Sequence, residues 1–145
     1  MNFFKDKISL IKKKTLHYFN PNENPTDLDK YAFNLLDKVE VESFIQFMEE
    51  KNVNINVLDF NKTSLLIKAQ GIPGIKNPLT KKFTKSELQD KAIIAMEYLI
   101  NRGVDINYQN KKNGITALLS ACHWGYTKIA EFLLRNGADP NLGSV

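Results

Sequence analysis

The stretch EFLLRNGADPN (131–141) has a counterpart 34 residues earlier, EYLINRGVDIN (97–107). Glu, an aromatic residue, Leu, Leu or Ile, a Gly and then Asp-x-Asn recur in register. A weaker third copy, QFMEEKNVNIN (46–56), precedes the second by 51 residues. Agreement at so many positions marks an internal repeat, and a repeat of this length implies stacked supersecondary units.

Each copy follows one physical logic. An apolar stripe marks a short helix, with Ile129, Leu133 and Leu134 in the last copy and Met96, Leu99 and Ile100 in the one before. Gly137 and Gly103 then supply the left-handed position that ends a helix. The Asp-x-Asn that follows suits a turn into an extended finger. Upstream, Gly114-Ile-Thr116-Ala117-Leu118-Leu119 opens a first helix with Thr116 as its cap, and Lys62-Thr63-Ser64-Leu65-Leu66 holds the same place one unit earlier, with Thr63 as the cap.

The offsets expose an insertion. Thr63 and Thr116 are 53 residues apart, whereas Gly103 and Gly137 are 34 apart, so the middle unit carries 19 extra residues between its helices. They fall near residues 70–90, where Gly71, Pro73, Gly74 and Pro78 mark a loop. Ser86-Glu-Leu-Gln89 reads as a capping box opening an extended second helix that runs to about Arg102. Before the repeats, Thr26 and Asp29 form a similar helix start, giving expected helices from about Asp27 to Asp37 and from about Val41 to Lys51. Residues 1–20 suit one amphipathic leader helix, closed by the breaker-rich segment 20–25.

These units resemble the ankyrin repeat. NGITALLSACHWGYTKIAEFLLRNGADPN (113–141) is similar to the family pattern G-x-T-P-L-H-x-A-A-x-x-G-H, apolar helix, G-A-D-x-N. The matches are Gly114, Thr116, Leu118, Ala121, Gly125, Leu133, Leu134, Gly137, Ala138, Asp139 and Asn141. Ala117 replaces the proline, Leu119 the first histidine, Cys122 the second alanine and Tyr126 the second histidine. The resemblance implies an all-α fold: an α-solenoid of about three stacked helix pairs with finger turns, preceded by the leader helix. Residues 1–20 are the leader, 21–26 a linker and 27–145 the repeat domain. Within that domain 27–56 is a degenerate capping unit, 57–107 the unit with the insertion and 108–145 the best-matching unit. Units of this kind bury their apolar faces only against neighbours. The last one therefore leaves a face to be covered by further sequence, a partner, a second copy or the leader.

Composition narrows the function classes. A chain of 145 residues with 43% hydrophobic and 25% charged residues has the material for one folded domain. Residues 1–20 contain five lysines and one aspartate, which accounts for the whole net charge of +4 and leaves 21–145 neutral. A nucleic-acid reader with a wholly positive face is disfavoured on that balance. The N-terminus lacks an uninterrupted apolar run, so no secretory signal is expected and the chain reads as cytoplasmic. A single cysteine, Cys122, permits no internal disulfide.

Catalytic motifs find no support. Cys122 and His123 are adjacent, and neighbouring helical positions point about 100° apart, so they form no dyad. Cys122 occupies the place of a small buried alanine in the family pattern and reads as core. No Cys/His set has metal-ligand spacing, and Gly71-Ile-Pro-Gly74 lacks the residues that follow in a phosphate loop. Asn61-Lys-Thr63 matches a glycosylation site in its letters only. The expectation is a non-enzymatic protein, without cofactor or metal.

What the resemblance implies instead is recognition of another protein through the concave surface of fingers and first helices. On the last unit those positions are Tyr108, Lys111, Lys112, Asn113, Ile115, Ser120, His123 and Trp124; on the middle unit they are Leu58, Phe60, Lys62, Ile67 and Gln70. The insertion adds a basic loop of Lys76, Lys81, Lys82 and Lys85, suited to steering an acidic partner. Two alternatives accompany this reading. One is a toxin-neutralising immunity protein or secreted bacterial effector acting by tight binding. The other is a peripheral membrane or nucleic-acid binder that uses the leader and the inserted loop.

Overall fold

A computed structural model of the chain describes residues 24–143. The leader helix over 1–20 lies outside the described residues. Among the described residues there are six α-helices and two short 3₁₀ turns, and no strand. The helices are α1 (Asp27–Asp37), α2 (Val41–Lys51), α3 (Leu65–Gln70), α4 (Lys85–Asn101), α5 (Ala117–His123) and α6 (Thr127–Arg135).

Their starts follow from short polar side chains. Thr26 Oγ1 accepts from the Asp29 N–H at 3.2 Å while Asp29 Oδ2 accepts from the Thr26 N–H at 2.8 Å, which closes a capping box on α1. Ser64 and Thr116 cap α3 and α5 by accepting from Ile67 and Leu119. The cap of α3 is thus Ser64 and not Thr63. The Thr63 hydroxyl instead lies 3.3 Å from the Asn110 amide of the next finger and accepts its hydrogen bond. Helix α4 opens at Thr84, whose box partner is Glu87, two residues ahead of the expected Ser86–Gln89 box. With Ser64 as the true equivalent of Thr116, the insertion is 18 residues long, one fewer than the Thr63 alignment gives.

The helices stack in two layers. Helices α1, α3 and α5 pack side by side as the first-helix layer, and α2, α4 and α6 do the same behind them. Apolar spacing sets which faces meet: Leu35 and Leu36 of α1, Phe44 and Phe47 of α2, Leu65 and Leu66 of α3, Met96 and Leu99 of α4, and Ile129 and Leu133 of α6 are all buried. Burying each such side chain stabilises the fold by about 1.5–3 kcal/mol. The insertion is not a bare loop. Its 3₁₀ turns cover Ile72–Gly74 and Thr80–Lys82, and Ile72 is completely buried. It also lengthens α4 to 17 residues, against 11 in α2 and 9 in α6. Leu134, at the far side of the α6 stripe, is exposed. Cys122, expected in the core, is exposed instead, because α5 packs chiefly against α3 and α6 and leaves that side of the helix open.

The recurring Asp-x-Asn has a double purpose. Asp105 and Asp139 each accept from the N–H two residues on, at 3.0 and 2.8 Å, closing the turn locally, and Asn54 does the same at 2.9 Å. The asparagine then reaches the next unit: Asn56 accepts from the Asp105 N–H at 3.1 Å and Asn107 from the Asp139 N–H at 2.8 Å. One residue closes the turn and the other sets the spacing between units.

Candidate protein-binding surface

The fingers connect the second helix of one unit to the first helix of the next. The first finger doubles back through an isolated antiparallel bridge between Leu58 and Ser64, with the Asp59 N–H donating to the Thr63 carbonyl at 3.0 Å. In the second finger the Asn110 N–H donates to the Ile115 carbonyl at 2.9 Å. Neighbouring tips are tied together. The Tyr108 hydroxyl donates to the Lys62 carbonyl at 2.5 Å, the Asn110 amide to the Asn61 carbonyl at 3.0 Å, and the Lys112 ammonium to the Phe60 carbonyl at 3.4 Å. Burial raises the Tyr108 phenol above its ordinary pKa, so it remains a donor.

This framework sorts the residues picked out by sequence. Phe60, Lys111, Lys112, Asn113, His123 and Trp124 are exposed; Tyr108, Ile115, Ser120, Lys62 and Ile67 are half-buried. Leu58 and Gln70 are buried and do not stand on the outer surface. Leu58 turns inward with the bridge. Gln70 ends α3 and donates its amide to the Ser120 hydroxyl at 2.8 Å, which joins α3 to α5. Leu58 nevertheless lines a cleft of about 260 Å³ between the two fingers, together with Asn56, Ser64, Val104, Tyr108 and Lys111.

Two aromatic side chains stand in solvent on this side. Phe60 is 54% exposed, with the Lys30 ammonium 5.2 Å from its ring centroid. Trp124 is 60% exposed at the C-cap of α5, and the His123 ring meets it edge-on with centroids 4.9 Å apart. The basic loop reaches it at one end: Lys85 donates to the Trp124 carbonyl at 3.3 Å, while Lys76, Lys81 and Lys82 are exposed earlier in the segment.

On the second-helix layer the charges answer one another. Arg102 pairs with Glu49 at 3.1 Å and Lys128 with Asp90 at 3.0 Å. Burial pushes the Tyr98 phenol up to about 12, and its hydrogen bond to Glu49 and the charge of that carboxylate add to the rise, against a smaller opposing effect of Arg102. Sequence reasoning gave Gln89 to a capping box on α4 and missed its role at α6. Its Oε1 accepts from the N–H groups of Lys128 and Ile129 at 3.0 and 3.4 Å, capping α6 from another helix because Tyr126, the N-cap, makes no side-chain cap bond. No local pattern announces a cap supplied from 39 residues away.

No group of three or more His, Cys, Asp or Glu among the described residues could hold a metal ion, and no described helix is long and apolar enough to cross a membrane. Helix pairs in register, joined by hydrogen-bonded fingers, define a repeat solenoid. The chain belongs to the ankyrin-repeat family: the family profile described as "Ankyrin repeats (3 copies)" matches residues 42–144. It is 49% identical over 47 residues to the Ankyrin repeat and KH domain-containing protein mask-1 of Caenorhabditis elegans, covering 32% of this chain and 2% of that protein. It is 40% identical over 47 residues to the Palmitoyltransferase AKR1 of Lachancea kluyveri, covering 32% and 6%. With the human Ankyrin repeat domain-containing protein 40 the identity is 32% over 68 residues, covering 44% and 18%. The chain therefore spans less than a fifth of each of these relatives, and the likeness is one of repeats. Ankyrin repeats are in general protein-binding modules.

Proposed function

We propose that this chain binds a partner protein against its finger tips and first-helix layer and carries out no reaction of its own. One observation carries the reading. Phe60 and Trp124 are the aromatic residues among the exposed large hydrophobic side chains, one in a finger and the other at the end of α5. Aromatic side chains held in solvent on a rigid support are the usual anchors of protein interfaces. The support is ordered in advance by the hydrogen bonds between fingers, so docking sacrifices little conformational entropy.

The test is affinity capture from the native source, with wild type compared against the Phe60→Ala, Trp124→Ala double variant. Both residues are exposed, so the variant keeps its helical circular dichroism and melting temperature. A partner retained by wild type and lost by the folded variant supports the reading. Equal retention by both would place the binding surface elsewhere on the molecule.

A further inference from the structure

The insertion in the middle unit lies against the last unit, beside Trp124. Gly74 passes so near Tyr126 that a Cβ there would sit 2.9 Å from the phenolic oxygen. Lys85 is held between the Trp124 carbonyl, at 3.3 Å, and the Tyr126 ring, 5.1 Å from its centroid. Gln89, one turn further along α4, caps α6. A segment that is inserted in sequence is thus fixed against the turn that follows α5 and carries the exposed indole.

Charge on this surface is one-sided. From Gly71 to Lys91 there are five lysines and two acids. Both acids are already engaged: Glu87 accepts from the Thr84 N–H at 2.9 Å, and Asp90 pairs with Lys128. Lys76, Lys81 and Lys82 are exposed, and among the described residues no ion pair reaches them. Leu79, 41% exposed, adds an apolar surface to the same segment.

We propose that the insertion and the end of α5 form one docking surface for an acidic segment of the partner protein, with the lysines facing its carboxylates and Trp124 receiving an apolar side chain. The inference rests on the protein-binding reading above and gives the partner a chemistry. Three features favour a peptide over phosphate-rich surfaces. Both arginines, Arg102 and Arg135, lie elsewhere, although the guanidinium fork is the side chain best shaped for phosphate. A single exposed indole offers one contact and no succession of stacking platforms for bases. Trp124 and Leu79 are too little apolar surface for a helix lying in a membrane interface.

Trp124 is the sole tryptophan, so its emission reports on this surface alone. The experiment titrates the full chain with a short glutamate-rich peptide carrying one leucine and follows tryptophan fluorescence. The controls are the same peptide with lysines for glutamates, vesicles containing phosphatidylserine, and oligothymidylate. A saturable blue shift with the acidic peptide alone is expected. The Lys81→Glu, Lys82→Glu variant should weaken it on the order of tenfold, and Lys111→Glu on the second finger by no more than about twofold. No shift with the acidic peptide, an equal affinity in the Lys81→Glu, Lys82→Glu variant, or an equal response to vesicles or oligothymidylate would overturn the proposal. Native-source capture separates the two readings: a partner lost by the Phe60→Ala, Trp124→Ala variant but kept by Lys81→Glu, Lys82→Glu leaves protein binding standing and removes the acidic-segment surface.

Discussion

The first and last units solve the same turns with different residues. Between the helices of the last unit, Gly125 has φ 71°; the equivalent turn of the first unit uses Val39 at φ 62°. The backbone hydrogen bonds coincide. Gly125 and Tyr126 donate to the carbonyls of Cys122 and Ala121 at 3.2 and 2.9 Å, and Val39 and Glu40 donate to those of Leu36 and Leu35 at 3.0 and 2.9 Å. After the second helix, Asn52 at φ 48° stands where the later units have Gly103 at 89° and Gly137 at 92°. Ahead of the first helix of the next unit, Lys62 at φ 60° corresponds to Gly114 at 72°. Left-handed backbone costs a residue with a Cβ roughly 1–2 kcal/mol, and a β-branched one is the least suited. Stacking therefore dictates the turn, and local residue preference only modulates what the turn costs. Val39 is 6% exposed, so its apolar burial offsets the strain.

The sharpest way to break this comparison is to give a later unit the first unit's solution. Gly125, the counterpart of Val39, has open space where a Cβ would stand, so Gly125→Val measures the backbone cost nearly alone. Nor does its side chain enter the core. We expect a loss of about 2 kcal/mol in urea unfolding. The companion, Val39→Gly, relieves strain and forfeits burial, and should change stability by less than about 1 kcal/mol. Equal losses for the two would mean that the valine's burial, and not the turn geometry, governs that position.

A second contrast concerns how helices begin. Helices α1, α3, α4 and α5 are capped by Thr or Ser at their own N-termini, whereas α6 takes its acceptor from Gln89. Gln89→Ala leaves the Lys128 and Ile129 N–H groups without that acceptor and should cost about 1–2 kcal/mol. Hydrogen exchange should quicken first at the start of α6, while α1 and α2 keep their protection. Uniform quickening throughout the stack would show that the cap supports global stability and not this joint.

The same residue explains where sequence reading succeeded and where it stopped. Helices α1 and α2 were legible in place and approximate length, because Thr26 and Asp29 form a local box and the apolar spacing is regular. At α4 two boxes compete, Thr84–Glu87 and Ser86–Gln89, and they look equivalent in sequence. The packing of Gln89 against α6 decides between them, since its oxygen is already committed to Lys128 and Ile129. Thr63 and Ser64 pose the same kind of choice, which the contact of Thr63 with Asn110 settles. On the candidate surface, the exposure of Phe60 and Trp124 agrees with the repeat register. The inward turn of Leu58 and the use of Gln70 as a tie to Ser120 were not, because both depend on which unit stacks above.

The smallest expected effect probes the finger at Lys62. Its φ of 60° is disfavoured for lysine, while its carbonyl accepts the Tyr108 hydroxyl and so helps hold the finger tips in register. Replacing it with glycine removes the left-handed cost but loosens the unfolded chain, and the two effects oppose each other. The carbonyl remains in place, so the bond to Tyr108 survives the change. We expect Lys62→Gly to stabilise the protein by about 0.5 kcal/mol, read as a higher urea midpoint at unchanged slope. A lower midpoint would show that the lysine stem packs usefully against the half-buried finger. The first finger would then have adapted to its lysine as the first unit has to Val39, and strain at both positions would be matched with contact.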